Sequence, residues 1–329
     1  MRHLFRVVLG IALSLGLVHG QPAVLSGPVE GFFFDAPTNS LRAVQGFPGS
    51  ASIGPAVLDG LDYASVAPHK NYGIAFKDGQ CLFVTGLGSD PSAVSLAPLA
   101  CSRPEGVAWS GNGSRAALYS RSANWVQTLS GLPGSPTLND SIDTTHYGGS
   151  LSAVAVDALG IDVAIAITGD GGGVYLMTGG QGFTPALQMS KPVALSFSDD
   201  GAKLYVIDAA ALQFSELAVA DLSVQVFPLA GLADPIAVKQ TRDPANRSLL
   251  CFVSRSDQLL RMYDASSHQT IADDIPLDFL PTGIDDLGRS SFVVSSRAKT
   301  ADPLWLFTSS PQQAVYFVPA LTARSAIDE

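Results

Sequence analysis

A hairpin near the middle of the chain constrains the possible folds more than any other feature of the sequence. Apolar Val193, Leu195 and Phe197 alternate with small or polar residues, which is the period-two pattern of a strand. Ser198–Gly201 follows, and its aspartates and glycine are suited to a tight turn. An apolar run, Leu204–Ile207, then begins a second strand. No helical period fits these residues, so the segment predicts two antiparallel strands.

The same hairpin recurs along the chain. Its first strand starts near one anchor residue in each copy, and successive anchors are separated by 43, 47, 41, 43 and 46 residues. The six anchors are Tyr63, Gly106, Ala153, Ala194, Ala237 and Gly283. Because a regular period of this size is the signature of repeat architectures, we expect the fold to be built from these units.

Two further strand-like runs follow the hairpins, for example Gln213–Val219 and Ser223–Phe227. Four strands in every unit of about 40–47 residues are typical of the blade of a β-propeller. A β-sandwich also contains many short strands, but it does not repeat one hairpin at this period. The pattern therefore predicts an all-β propeller with four-stranded antiparallel blades.

The ends of the chain are expected to supply a seventh blade. Six repeats run from about residue 61 to Ala320, and Gly31–Asp35 and Leu41–Val44 form two more strand-like runs before them. We interpret these two runs as adjacent outer strands of a partial blade. The tail, Leu321–Ile327, is then expected to add the innermost strand of that blade, because joining both ends pairs edges that would otherwise be exposed. The fold predicted is a seven-bladed β-propeller.

The blade pattern resembles that of secreted bacterial propellers of the YVTN, NHL and lactonase-like types. The segments that carry this resemblance are Pro192–Val206, Pro281–Ile284 and Pro104–Ala108. It covers about residues 60–320 and implies the propeller fold. It is poor evidence for function, because these groups include both enzymes and binding proteins.

The first 20 residues have the pattern of a secretory signal peptide. Arg2 and Arg6 precede an apolar run, Val7–Val18, and cleavage is expected before Gln21. The apolar run of about 12 residues is shorter than the roughly 20 needed to cross a bilayer. We therefore predict a secreted or periplasmic protein with no membrane span in its mature chain, and a single propeller domain over residues 21–329.

Acidic residues outnumber basic ones in this chain. It carries 29 acidic and 19 basic residues, and subtracting Arg2 and Arg6 from the formal charge of −10 gives −12 for the mature chain. Such a surface repels phosphate backbones, so nucleic acid is not an expected partner.

The mature chain has an odd number of cysteines. Cys81 opens the third strand of its repeat and Cys101 follows the fourth, so folding back of these strands brings the two thiols near each other. We predict a disulfide between them, in keeping with an oxidising compartment. Cys251 lies in an apolar strand, Leu249–Val253, and is interpreted as a buried free thiol.

Four polar residues are candidates for a ligand-binding site at the entry to the innermost strands. They come from consecutive repeats, whereas the equivalent entries of later repeats are Val193, Ile236 and Thr282. Blade entries converge on one end of a propeller's channel, so an asymmetric mouth is expected there, polar on one side and apolar on the other. The simplest alternative is a channel end that binds nothing. The four candidates are Asp62, Glu105, His146 and Ser152.

No catalytic constellation is visible in the sequence. The entry positions hold too few acids for a ring of calcium ligands, and one histidine cannot form a zinc site of the usual type. We therefore expect a monomeric, non-enzymatic propeller that has no cofactor. We expect this propeller to bind a protein or a small molecule. The alternative is a lactonase-like or other hydrolytic enzyme, with Asp62, Glu105 and His146 around a divalent cation in the central channel.

Overall fold

Seven antiparallel sheets make up the part of the chain that the structure describes. The structure is a computed structural model, and it describes residues 27–96, 99, 103–288, 290–296 and 304–319. These residues form 28 strands and two single-turn 3-10 helices, Ala36–Thr38 and Thr145–Tyr147. None of the described helices is long and apolar enough to cross a membrane. Each sheet is built from strands that are consecutive in sequence, as the repeat pattern predicts.

The sheets are named blades I to VII in chain order. Blades I to III consist of β1 (Val29–Asp35), β2 (Ser40–Gln45) and β3 (Ser52–Asp59); β4 (Tyr63–Val66), β5 (Gly73–Lys77), β6 (Gln80–Thr85) and β7 (Ser92–Leu96); and β8 (Gly106–Trp109), β9 (Ala116–Ser120), β10 (Trp125–Ser130) and β11 (Thr137–Asp143). Blades IV and V consist of β12 (Ser150–Val156), β13 (Val163–Thr168), β14 (Gly173–Met177) and β15 (Thr184–Gln188); and β16 (Pro192–Phe197), β17 (Lys203–Asp208), β18 (Gln213–Ala218) and β19 (Val224–Pro228). Blades VI and VII consist of β20 (Pro235–Arg242), β21 (Ser248–Ser254), β22 (Leu259–Asp264), β23 (Gln269–Thr270) and β24 (Ile275–Pro276); and β25 (Pro281–Gly288), β26 (Ser291–Ser296), β27 (Leu304–Thr308) and β28 (Ala314–Val318).

The first strand of each blade lies at the centre of a ring. Strand β1 packs against both β4 and β25, β12 packs against β8 and β16, and β20 packs against β16 and β25. Each of these strands is the edge strand of its own sheet. A ring of first strands with the later strands outside is a propeller, so the prediction of a seven-bladed all-β propeller is confirmed.

Two blades depart from the four-stranded plan. In blade VI, β23 and β24 pair one after the other with β22, so the outermost strand is interrupted. Blade I has three strands among the described residues, in the order β1-β2-β3. The outer edge of β3 therefore has no partner strand within the part of the chain that the structure describes.

The prediction for the N-terminal runs is wrong in one respect. We expected both to be outer strands, but β1 occupies the innermost position of blade I, between β4 and β25. The innermost position is therefore already filled and is not open to the tail. Residues 321–327 lie outside the described residues, so what the tail does stays a prediction.

One backbone irregularity explains the sequence anchors. In β12, β16, β20 and β25, the pairing register with the second strand shifts by one residue just before the anchor, and β1 shows the same shift just before Gly31. In blades II and III, the N–H groups of Asp62 and Glu105 donate to Phe76 and Tyr119, the residues that also pair with the anchors. Two residues of the inner strand thus oppose one of its neighbour in every blade. Such a β-bulge bends and twists a strand, which suits an innermost strand that lies along the central axis of the ring.

The ring closes where β1 meets β25. A Cβ atom added to Gly31 would overlap the carbonyl oxygen of Leu287, and one added to Gly288 would lie 2.5 Å from the carbonyl oxygen of Glu30. The carboxylate of Glu30 also accepts a hydrogen bond from Ser291 of β26. Glycine at these two positions therefore lets the first and last blades approach more closely than any other residue would allow.

We expect Gly288→Ala to destabilise the protein by about 1–3 kcal/mol, because the new methyl group must push the two backbones apart. Gly283→Ala is the matched control in the same strand, since a Cβ there meets no atom within 4 Å. Chemical denaturation of both variants measures the difference. Equal stabilities would show that the closure tolerates a side chain.

Candidate functional site

A cavity of about 890 Å³ occupies the centre of the ring. It is lined by the innermost strands of all seven blades and by the turns that follow several of them, for example Pro68, Gly111, Ala158 and Asp199. The cavity thus reaches the end of the ring where the innermost strands finish, which we call the exit end. The opposite end, where those strands begin, is the entry end.

One layer of the cavity is formed by equivalent positions of the seven blades. These positions lie two residues after each anchor, with Gly31 as the anchor of blade I, and all seven residues line the cavity. Five of them are uncharged, but neighbouring blades VI and VII contribute a lysine and an aspartate. The seven are Phe33, Ser65, Ala108, Ala155, Ser196, Lys239 and Asp285.

Lys239 forms an ion pair inside the cavity. Its Nζ atom donates to Oδ2 of Asp286 at 2.8 Å, and the two side chains are 31% and 34% exposed. Burial by itself lowers the pKa of Lys239, but the carboxylates of Asp286 and Asp285 outweigh it and raise the pKa above its ordinary value. The ammonium group is therefore held in its charged form.

Asp285 has much less compensation than its neighbour. It forms no ion pair with a described residue within 4 Å, and the hydrogen bond from Ser295 Oγ to its Oδ2 is long, at 3.4 Å. Protein surrounds this carboxylate, although it remains exposed to the cavity. Burial raises the pKa of Asp285, Asp286 adds to the effect, and Lys239 opposes it.

Because its pKa is raised in the folded state, ionised Asp285 destabilises the fold near neutral pH. Asp285→Asn is therefore expected to raise the Tm at pH 7 by about 1–2 °C, which corresponds to ~1 kcal/mol once screening by water in the cavity is allowed for. The gain should disappear below the unfolded carboxyl pKa of about 3.9, where Asp285 is protonated in both states. Thermal melts at pH 7 and near pH 3 measure it. A lower Tm at pH 7 would contradict this account.

Aromatic side chains also lie on the cavity wall. The rings of Phe34 and Tyr63 meet edge to face with centroids 5.7 Å apart. Trp109 donates from Nε1 to Ser65 Oγ at 2.8 Å and links blades II and III. Burial raises the pKa of Tyr63, and the negative charge of Asp285 raises it further, so this phenol is a neutral neighbour of that carboxylate.

Aliphatic side chains form a further part of the wall. Blades III, IV and V contribute Val107, Val154 and Leu195 to the cavity lining. Large cavities that combine such a wall with a few polar groups are typical of sites for small molecules.

Tyr119 connects the charged layer to the entry end. It pairs with Gly106 across β8 and β9, and its phenol occupies the space that a Cβ on that glycine would need. Burial raises the pKa of Tyr119, which also responds to Asp285 and Lys239 on one side and to Arg121 and Glu105 on the other. Glycine at position 106 therefore allows an aromatic ring to lie between the two groups of charges.

The sequence-predicted residues lie apart from this cavity. Asp62, Glu105 and Ser152 occupy bulge positions at the entry end, and His146 lies in the second 3-10 helix. None of the four is among the described residues that line the cavity. Ligand binding by these residues stays a prediction for the entry end.

Two of these residues hold the backbone in place. Glu105 accepts hydrogen bonds from Ser120 Oγ at 3.1 Å and from the N–H of Ser122 at 2.9 Å. Partial burial tends to raise the pKa of Glu105, but the bonds from Ser122 and Ser120 and the charge of Arg121 lower it to about 2. Ser152 Oγ is 3.0 Å from the carbonyl oxygen of Ala166 and 2.6 Å from that of Pro192, so its hydroxyl bridges blades IV and V.

The side chains of the remaining two candidates are exposed. The N–H of Asp62 donates to Phe76, while its side chain faces solvent. The ring of His146 is tilted against that of Tyr147, with ring centroids 4.2 Å apart. Neither geometry indicates a reaction.

The structure describes two of the three cysteines. Cys81 is buried and forms no disulfide with a described residue, and burial raises the pKa of its thiol to about 12. Cys101 lies outside the described residues, so the predicted pairing with Cys81 stays a prediction. Cys251 is a buried free thiol, as the sequence indicates.

Metal-ligating side chains do not cluster in the described part of the chain. No group of three or more His, Cys, Asp or Glu residues is placed there to hold a metal ion. The divalent cation of the alternative hypothesis therefore has no site to assign among these residues.

Comparison with known proteins shows the fold alone. No protein-family model and no curated protein matches the chain. Among solved structures, virginiamycin B lyase from Staphylococcus aureus is similar with a TM-score of 0.57 and 12% identity, over 79% of this chain and 84% of that one. A catalytically inactive form of that lyase with quinupristin gives a TM-score of 0.55 at 12% identity, over 78% and 83% of the two chains. A nidogen/laminin complex gives a TM-score of 0.49 at 14% identity, over 76% and 94%.

Proposed function

We propose that this protein is a non-enzymatic propeller that binds a small molecule in its central cavity. The observation that carries the proposal is the layer in which Lys239 and Asp285 face a cavity of about 890 Å³ whose wall is otherwise partly apolar. The volume lies within the range of small-molecule sites, roughly 300–1,000 Å³.

The charged residues also favour a binding role on energetic grounds. Placing Asp285 inside the ring costs stability, because burial disfavours its ionised form. An uncharged residue would fit the layer as it does in five other blades. A group that weakens the free protein and faces a cavity is most simply explained by a ligand that compensates it.

The rim of the cavity is organised to keep its shape. At the exit end, Arg242 Nε donates to Asp199 Oδ2 at 2.7 Å, and the N–H of Asp199 donates to Gln240 Oε1 at 2.5 Å. These bonds join the turn of blade V to the innermost strand of blade VI. A largely pre-formed site loses less conformational entropy when a ligand binds.

We place this binding outside the cytoplasm and assign it to a monomer. The support for export is the pattern of residues 1–20, which lie outside the described residues.

The test is a screen for binding with a cavity-filled variant as the reference. A library of aromatic and aliphatic fragments is measured by ligand-observed NMR with the unmodified protein and with Ala108→Trp, which puts an indole into the charged layer. Ala93→Trp is the matched control, because Ala93 is exposed on β7. We expect compounds that bind the unmodified protein and Ala93→Trp but not Ala108→Trp.

A set of ligands indifferent to Ala108→Trp would overturn the proposal. Ala158→Trp, at the exit end of the cavity, provides a second blocked variant if Ala108→Trp does not fold. Mass spectrometry of the same mixtures after long incubation separates the hydrolytic alternative, which requires a product with a changed mass.

A further inference from the structure

We propose that the ligand of the central cavity is a cation, with an apolar body and one amine or ammonium group bound by Asp285. This inference rests on the proposed function and names the class of ligand for the same cavity.

The ion pairs of the cavity wall leave one aspartate carboxylate without a basic partner. Three contacts pair the wall's arginines and its lysine one to one with aspartates: Arg42 with Asp35 at 3.0 Å, Lys239 with Asp286 at 2.8 Å, and Arg242 with Asp199 at 2.7 Å. Asp285 is the aspartate on the wall that has no such basic partner among the described residues. The ring therefore presents a negative charge that its own arginines and lysine do not pair.

The carboxylate of Asp285 is available to a ligand. A carboxylate offers about four acceptor positions, and one long bond from Ser295 uses a single position. The group is exposed to the cavity, whereas protein surrounds it on its other sides. An ammonium group that entered the cavity would supply the donors and the charge that Asp285 lacks, and such charge-assisted bonds are the stronger kind.

The aromatic rings of the cavity wall suit the same ligand class. Tyr63 lies close enough to Asp285 for the carboxylate to raise the pKa of its phenol, and Phe34 and Trp109 also line the cavity. Aromatic faces attract ammonium groups within about 6 Å, and they also cover the apolar part of a ligand.

An anionic ligand fits this arrangement poorly. The single lysine of the layer already donates to Asp286, so an incoming anion would compete with that carboxylate and would face Asp285 as well. Like charges close together in a partly desolvated site are unfavourable. Selection between cation and anion therefore follows from the arrangement of Lys239, Asp285 and Asp286.

Three indoles of nearly equal size test the assignment. Tryptamine is a cation, tryptophol is neutral and indole-3-acetate is an anion, and their dissociation constants are measured by calorimetry or ligand-observed NMR at pH 7. We expect tryptamine to bind at least tenfold more tightly than tryptophol, and indole-3-acetate to bind most weakly. In Asp285→Asn the dissociation constants of tryptamine and tryptophol should be about equal. Asp273→Asn removes the same charge at an exposed position outside the cavity lining and should keep the preference.

The outcomes separate this inference from the proposed function. If tryptophol binds as tightly as tryptamine and both are excluded by Ala108→Trp, the cavity is a binding site but the assignment of a cation is wrong. If Asp285→Asn keeps the full preference for tryptamine, Asp285 is not the group that binds it, and the inference is overturned. If none of the three indoles binds and the fragment screen also finds no cavity ligand, both proposals fail.

A pH series gives a readout that a purely structural role would not move. The groups near Asp285 that can change charge are Lys239, Asp286, Tyr63 and Tyr119. As pH falls through the raised pKa of Asp285, its protonation should weaken tryptamine binding but leave tryptophol binding unchanged. The same series in Asp285→Asn should be flatter, and equal slopes in the two proteins would count against the inference.

Discussion

Replacing Phe214 by alanine is expected to cost about 3–5 kcal/mol of stability, the largest effect of any substitution considered for this protein. The side chain is fully buried in β18, between blades V and VI. Its ring centroid lies 5.1 Å from those of Phe227 and Phe252 and 5.2 Å from that of Tyr263. Alanine would leave a cavity bordered by three aromatic rings that cannot move together without shifting a blade.

Phe47→Ala is the matched control for this substitution. Phe47 is 64% exposed, so its truncation removes little buried surface and should change stability by less than about 0.5 kcal/mol. Urea denaturation of both variants gives the comparison. A cost below about 1 kcal/mol for Phe214→Ala would mean that the two blades are not packed against each other in this way.

Replacing Lys239 by methionine is expected to have the second largest effect, a loss of about 2–3 kcal/mol at pH 7. The substitution keeps most of the length of the side chain but leaves Asp285 and Asp286 adjacent without a nearby positive charge. Breaking a buried pair by removing one partner costs about 3–5 kcal/mol, and the partial exposure of this pair to the cavity reduces the expected value.

The pH dependence of this loss has a definite sign. Because the charge of Lys239 lowers the folded-state pKa of Asp285, that pKa rises further without it, so the destabilisation grows as pH increases through that pKa and disappears below the unfolded carboxyl pKa of about 3.9. Thermal melts between pH 3 and pH 8 measure this trend.

Asp286→Asn provides the matched comparison for Lys239→Met. It should cost less, because Asp285 still interacts with the ammonium group of Lys239. If Asp286→Asn is the more damaging change, or if the loss in Lys239→Met does not depend on pH, the electrostatic account of the layer is wrong.

The fold was accessible from the sequence because the repeat is visible without structural information. The anchors Ala153, Ala194, Ala237 and Gly283 lie directly after a shift of pairing register in the structure. A bulge at this point favours a small residue, so the backbone geometry gives the sequence a small residue at a fixed period. Gly31 is also a small residue directly after such a shift. However, the regular spacing does not extend back from Tyr63, so the pattern does not identify Gly31 as the anchor of the innermost strand of blade I.

The site was harder to predict, because charge alone does not show which end of a strand a residue occupies. The sequence directed attention to Asp62 and Glu105, which precede their strands, whereas the cavity extends toward the other end. A usable signal was present in the repeat itself. Counting two residues beyond each anchor gives one lysine, Lys239, and one aspartate, Asp285, among small or apolar residues. The pairing of Lys239 with Asp286 and the isolation of Asp285 depend on distances between blades, which no spacing along the chain reports.

The contact between β1 and β25 determines how the ring can open. Among the described residues, no sheet takes strands from both ends of the chain, so separating blades I and VII breaks no backbone ladder. It disrupts the close approach at Gly31 and Gly288 and the hydrogen bond from Ser291 to Glu30. Amide protons of β1–β3 are therefore expected to exchange with deuterium through a subglobal opening, at a lower free energy than those of β17 or β21. Such an opening between blades I and VII would expose the cavity from the side. The residues that close the ring therefore also set how often this exposure occurs.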